Sequence, residues 1–100
     1  MSLTRGDIHE YGQPGAARQR IVLLVANQAV LDSERPWFNA LDLVPDTDGD
    51  ILTVPIPGHG WVNTVAMLRV YRPWIRERIG TTDADTIEKV EIGLRTANAL

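Results

Sequence analysis

The run Ile21-Val22-Leu23-Leu24-Val25 constrains this chain more than any other stretch. Its residues are apolar without a break and β-prone, with none of the alternation of a half-exposed strand. An uninterrupted run of this length is the pattern of a central, buried strand. The element extends from Arg20 to Asn27. The longest apolar run, Ile21 to Ala26, is far too short to cross a bilayer. At 100 residues the chain is expected to form a single domain over 1–100.

The rest of the chain reads as further short strands. Asp7 to Tyr11, bounded by Gly6 and Gly12, predicts a first strand, and Gln13 to Ala17 a loop. Leu31 to Arg35 is polar and reads as loop. Trp37 to Val44 alternates, with Trp37, Asn39, Leu41 and Leu43 on one face and Phe38, Ala40, Asp42 and Val44 on the other. Pro45 to Gly49 is a turn, after which Asp50 to Ile56 is expected to return as the partner strand. Pro55 and Pro57 lack ladder donors and place that strand's end at an edge. Pro57-Gly58-His59-Gly60 is a second turn, followed by a strand from Trp61 to Val70.

Two helices are expected to follow. Pro73 at a first helical position starts a short one that Gly80 stops. Thr82 or Asp83 caps the last helix, whose apolar face is Ile87, Val90, Leu94 and Ala97. Ile92 lies opposite, and Gly93 weakens the middle by about 1 kcal/mol relative to Ala. Closely spaced strands separated by turn residues imply a small, curled antiparallel sheet or barrel, mainly β, with the terminal helix on one side.

Composition excludes several kinds of site. There is no Cys, so disulfides, thiolate metal sites and Cys nucleophiles are absent, and two His cannot build a multi-His metal centre. The Asp46-Thr47-Asp48-Gly49-Asp50 run is not a Ca²⁺ loop, because Pro57 stands where the bidentate Glu belongs. Met1 to Glu10 is polar and shows no secretory signal. A soluble cytoplasmic protein without metal or cofactor is the expectation.

Charge is unevenly spread. The formal net charge is −3, yet residues 61–80 carry four Arg against one Glu, while residues 41–60 carry four Asp and no base. The basic stretch Arg69 to Arg78 encloses Tyr71 and Trp74, a combination that can track phosphates and stack on bases. The alternative is a short solvated helix whose Trp74 and Ile75 plug the core. His59 sits in a Gly-flanked turn, where a side chain can be presented freely; His9, on the first strand, reads as structural or exposed. Trp37 and Trp61 read as core or dimer contacts.

Several segments resemble the MazF/PemK family of toxins from bacterial toxin–antitoxin systems. Arg5-Gly6-Asp7-Ile8 is similar to the family's opening R-G-[DE]-[IVL]. Arg20-Ile21-Val22-Leu23-Leu24-Val25-Ala26-Asn27 resembles R-P-V-L-V-I-x-N, with Ile21 where Pro is usual. Val65 to Val70 resembles the strand ending in I-R-T, and Ile75 to Gly80 the L-x-x-R-I-G that follows. Asp83 to Leu94 resembles the closing helix.

The resemblance implies an SH3-like barrel of the CcdB/MazF type with a short and a C-terminal helix, usually a homodimer. It implies metal-independent, sequence-specific cleavage of single-stranded RNA by 2′-OH attack, and inhibition by a cognate antitoxin. Arg20 takes the place of the family's catalytic Arg, and its planar fork suits a phosphorane. That role requires a guanidinium facing an open groove, not one turned inward against a carboxylate. RNA contacts are expected from Gln13 and Arg18 in the preceding loop, and from His59 and Arg69. The family's Thr or Ser at the end of the third strand has no counterpart: its place falls near Leu43 to Pro45, or at Pro57 in a second alignment. The variant with Arg and Asp before the short helix is missing too, since those positions fall near Thr64 and Ala66. A second reading therefore stands beside the nuclease: a non-catalytic or CcdB-like toxin that binds a protein target. A third is a plain SH3-like interaction module.

Overall fold

The computed structural model describes residues 2–17, 19–47, 49 and 51–98. The elements are β1 (Asp7–Tyr11), β2 (Arg20–Leu24), α1 (Gln28–Asp32), β3 (Trp37–Val44), β4 (Thr53–Ile56), β5 (Gly60–Tyr71), a 3-10 turn (Arg72–Trp74), β6 (Ile75–Thr81) and α2 (Ala84–Asn98). The strands form one antiparallel sheet in the order β4-β5-β3-β2-β1-β6. The apolar run lies inside it, with β1 on one side and β3 on the other, and Val22, Leu23 and Leu24 are 0% exposed.

Successive side chains of β2 feed two different cores, because a strand alternates its faces. Val22 and Leu24 join Tyr11, Phe38, Ala40 and Val70, covered by Leu3, by Leu31 of α1 and by Trp74. Leu23 and Val25 join Ile8, Leu41, Leu43 and Val62, covered by Val54 and Ile56 of β4 and by Val90 of α2. Each such aliphatic side chain contributes about 1.5–3 kcal/mol by leaving water.

The sheet curls at β5. This long strand pairs with β4 through Gly60 to Asn63 and with β3 up to Tyr71, with a register break opposite Leu41 and Leu43. The curl folds β4 over the second core, so the fold is a barrel in outline. No ladder joins β4 to β6 among the described residues; instead the His59 ring rests on Gly80 of β6.

Several expectations need correction. The strand after the Pro45–Gly49 turn does not pair with β3: β5 lies between them, and the turn is a crossover rather than a hairpin. Its φ is positive at Gly49 as expected, and Pro55 does lie on an edge strand; Asp48 and Asp50 fall outside the described residues. Pro73 does not start a helix. After a single 3-10 turn the chain becomes extended at Ile75, and Ile75, Arg78, Gly80 and Thr81 pair with β1. Ile75 is buried while Ile79 is exposed. The open edge of β1 outweighs the helix-starting preference of Pro73 by satisfying a row of backbone groups.

The segment expected to be loop, Leu31 to Arg35, begins inside a short helix, since α1 runs through Leu31 and Asp32. Asn27 caps it, accepting from the Ala29 N–H at 2.8 Å, and Leu31 is buried beneath it. Its far end is held by Arg72, whose Nε donates to the Arg35 carbonyl at 2.8 Å, Nη1 to Leu31 at 3.0 Å and Nη2 to Val30 at 3.0 Å. The terminal helix runs as expected. Asp83 accepts from the Thr86 N–H at 2.7 Å, and Ile87, Val90 and Leu94 face the core while Ile92 is exposed.

The opening Arg5-Gly6-Asp7-Ile8 segment is structural. Arg5 donates to the Val25 carbonyl and pairs with Glu91 of α2, Gly6 adopts φ +92° and donates to Leu24, and buried Asp7 lies 3.7 Å from Arg78. Among the described residues no helix is long and apolar enough to cross a membrane.

Candidate functional site

Arg20 opens β2, opposite Tyr11 of β1, and its side chain is 59% exposed. The guanidinium thus faces solvent at the end of the sheet. It is not unpartnered: Nη1 donates to Oδ2 of Asp42 at 3.2 Å. The pair lies across the sheet surface rather than in the interior. Asp42 stands opposite Val22 on β3, two positions along from Arg20 on the same face.

Asp42 is the residue that sequence reasoning passed over. The alternation of β3 placed it on a face with Phe38 and Ala40, but nothing in the spacing told that this face would carry Arg20. Continuing the register by two residues brings Val44 alongside Arg20, so this end of β3 offers no hydroxyl. Thr47 lies beyond, its Oγ1 accepting from the Gly49 N–H at 3.1 Å within the turn.

The other expected site residues scatter. Gln13 is exposed in the β1–β2 connection, where its carbonyl accepts from Ala16 N–H at 2.9 Å; Arg18 lies outside the described residues. His59 is not freely presented. Its ring lies over Gly80, where a Cβ would sit 2.6 Å from Cε1 and Nε2. Arg69 is opposite Asn39, on the Leu41 face of β3 and so on the other side of the sheet from Arg20 and Asp42. There it stands 5.4 Å from the Trp37 ring, at a groove of about 440 Å³ lined also by Val25, Met67 and Leu94.

The basic stretch is likewise divided. Arg69 borders that groove, Arg72 is spent on α1, Arg76 and Arg78 project from β6, and Arg78 reaches Asp7. Trp74 and Ile75 pack against the first core, which bears out the plug but not the helix. His9 is buried, its Nδ1 paired with the Arg76 carbonyl at 2.8 Å, while Nε2 has no partner among the described residues. Among the described residues no cluster of three or more His, Asp or Glu is placed to hold a metal.

A curled six-stranded antiparallel sheet with a terminal helix packed on it is a known arrangement. No family model and no characterised sequence matches the chain. Solved structures do. An endoribonuclease from a mycobacterial species superposes with a TM-score of 0.83 at 19% identity, covering 100% of this chain and 94% of the other. A mycobacterial endoribonuclease in complex with its cognate antitoxin gives 0.83 at 20% identity over 98% and 96% of the two chains. A MazE–MazF complex from Deinococcus radiodurans gives 0.82 at 16% identity over 100% and 98%. The chain has the fold of the MazF toxins over its whole length.

Proposed function

We propose that this chain is the toxin of a type II toxin–antitoxin system and cuts single-stranded RNA without metal. The observation that carries the reading is Arg20: a solvated guanidinium at the mouth of the central strand, in a fold shared end to end with MazF endoribonucleases. In this reading the 2′-hydroxyl beside the scissile phosphate attacks phosphorus. Arg20 clamps the phosphorane oxygens with its fork, retaining its charge at any working pH. Gln13 and Arg18 from the loop before β2 contact the RNA. Arg69 serves a more distant stretch of the strand, because it lies on the opposite face of the sheet.

The neighbours solved as toxin–antitoxin complexes support a cognate antitoxin as partner. We assign the protein to the cytoplasm, as a homodimer with one domain per chain, acting without a cofactor. One feature favours a second reading: neither Leu43 to Pro45, where β3 ends, nor Pro57 carries the hydroxyl that the resemblance to the family calls for. In that reading the fold binds a protein target, as in CcdB, and does not cut.

Incubation of a broad single-stranded RNA pool in EDTA, with sequencing of product ends, tests the proposal. Site-specific cuts ending in 2′,3′-cyclic phosphate, lost in Arg20→Ala, are expected. Intact RNA together with growth arrest on expression overturns the nuclease in favour of the second reading.

A further inference from the structure

An arginine clamp alone leaves the 2′-hydroxyl proton without an acceptor. The neutral-pH acceptors most often used are imidazoles, and neither serves here: His59 is stacked on Gly80, and His9 is buried with Nδ1 on the Arg76 carbonyl. The family's hydroxyl is absent as well. What the structure does place at Arg20 is a carboxylate. We propose that Asp42 is the general base of this chain, standing in for the missing hydroxyl; the inference rests on the nuclease reading of Arg20.

The geometry fits the step. A base must come within about 2.6–3.2 Å of the proton it removes. The attacking oxygen must itself lie about 3–3.5 Å from phosphorus in a reactive pose. Base and phosphate clamp must therefore be immediate neighbours. Asp42 Oδ2 is 3.2 Å from Arg20 Nη1, and among the described residues Oδ1 has no hydrogen-bond partner. With Nη1 on Asp42, the edge formed by Nε and Nη2 remains as a fork for two phosphate oxygens, and Oδ1 for the 2′-hydroxyl. The carboxylate is only partly shielded, at 26% exposure, so a ribose can reach it. Its flanking positions Leu41 and Leu43 are buried, which fixes the strand from which it projects.

The step balances. The 2′-OH proton passes to Asp42, O2′ bonds to phosphorus, and the P–O5′ bond breaks as a water supplies a proton to O5′. The products are a 2′,3′-cyclic phosphate and a 5′-hydroxyl, and Asp42 returns its proton to solvent.

Single-turnover cleavage of a single-stranded RNA oligonucleotide carrying a mapped cut site, in EDTA, tests this with the wild type, Arg20→Ala, Asp42→Asn and Asp42→Glu. Asp42→Asn is expected to cut about 10²–10⁴-fold more slowly. It should bind the RNA at least as tightly, since a negative charge beside the phosphates is gone. Asp42→Glu should recover part of the rate. The wild-type rate should rise with pH on the acid side, and that rise should vanish in Asp42→Asn. If Asp42→Asn cuts within about threefold of wild type, or is slow with the rise intact, Asp42 is not the base, although loss of cutting in Arg20→Ala would still uphold the clamp. If the wild type cuts nothing in a broad RNA pool, the nuclease reading and the base fall together. Thermal unfolding establishes that each variant is folded, and a misfolded Asp42→Asn leaves Asp42→Glu and the wild-type pH profile to decide.

Discussion

The His59 ring lies over the backbone of Gly80, closely enough that a Cβ on residue 80 would stand 2.6 Å from its nitrogen. This contact joins the β4–β5 turn to β6, between the two ends of a sheet that no backbone ladder closes among the described residues. Gly80→Ala should therefore destabilise the fold by about 1–3 kcal/mol through overpacking. His59→Ala removes the obstructing ring, so the double variant should be more stable than the sum of the two single effects predicts. Urea unfolding of the four proteins measures the coupling, and strict additivity would show that the two residues do not touch in solution.

Gly93 tests a conflict between local propensity and tertiary packing. On an isolated helix, replacing it with Ala gains about 1 kcal/mol. Here a Cβ would stand 2.7 Å from Thr64 Cγ2 and 3.0 Å from its Oγ1, where α2 crosses β5. Thr64 cannot easily yield, because its hydroxyl donates to the Leu52 carbonyl at 2.9 Å. Gly93→Ala should thus lose about 1 kcal/mol net. Adding Thr64→Ser, which deletes Cγ2 and keeps the hydroxyl, should restore most of it. A stabilised Gly93→Ala in thermal melts would refute the contact.

These two glycines mark how far the sequence could be read. The Ile21–Val25 run and the alternation of Trp37 to Val44 reported their strands directly, because an unbroken apolar run marks a strand buried on both faces and alternation marks the two faces of a strand. Gly93 was visible only as a helix weakness, since its reason is Thr64, a residue far away along the chain. β6 was misread because its fate depends on the open edge of β1, not on its own pattern. α1 was missed because five residues are too few to show a period, and its holding group, Arg72, lies in the basic stretch. Arg20 was legible through resemblance alone. Its partner Asp42 was not, because a register between β2 and β3 is set by the whole sheet.

Two carboxyl groups make stability depend on acid pH. Hydrogen bonds from Thr86 hold Asp83 below the usual carboxylate range, and a hydrogen bond from Arg5 does the same for Glu91. In the window between folded and unfolded values, the unfolded chain binds more protons, so stability rises with pH there. The contribution is complete above the unfolded values and is lost as pH falls through the folded ones. Asp83→Asn should flatten part of this slope in urea titrations run into the acid range. It should keep α2 intact, because Asn caps a helix as well as Asp does. An unchanged slope in both Asp83→Asn and Glu91→Gln would remove these groups as the source.

Arg20→Lys separates charge from shape at the proposed site. Lysine keeps the positive charge at the mouth of β2 but presents a point charge on a flexible stem instead of a planar fork. An ammonium can attract the RNA and can pair with Asp42, yet it cannot hold Asp42 and two phosphorane oxygens in one plane. RNA affinity and its salt dependence should therefore stay within about threefold of wild type. The single-turnover cleavage rate should fall by about 10²–10³, the scale of losing a preorganised donor to a developing charge. Equal rates for the lysine variant and the wild type would mean that Arg20 supplies attraction only, and that the phosphorane is stabilised by another group.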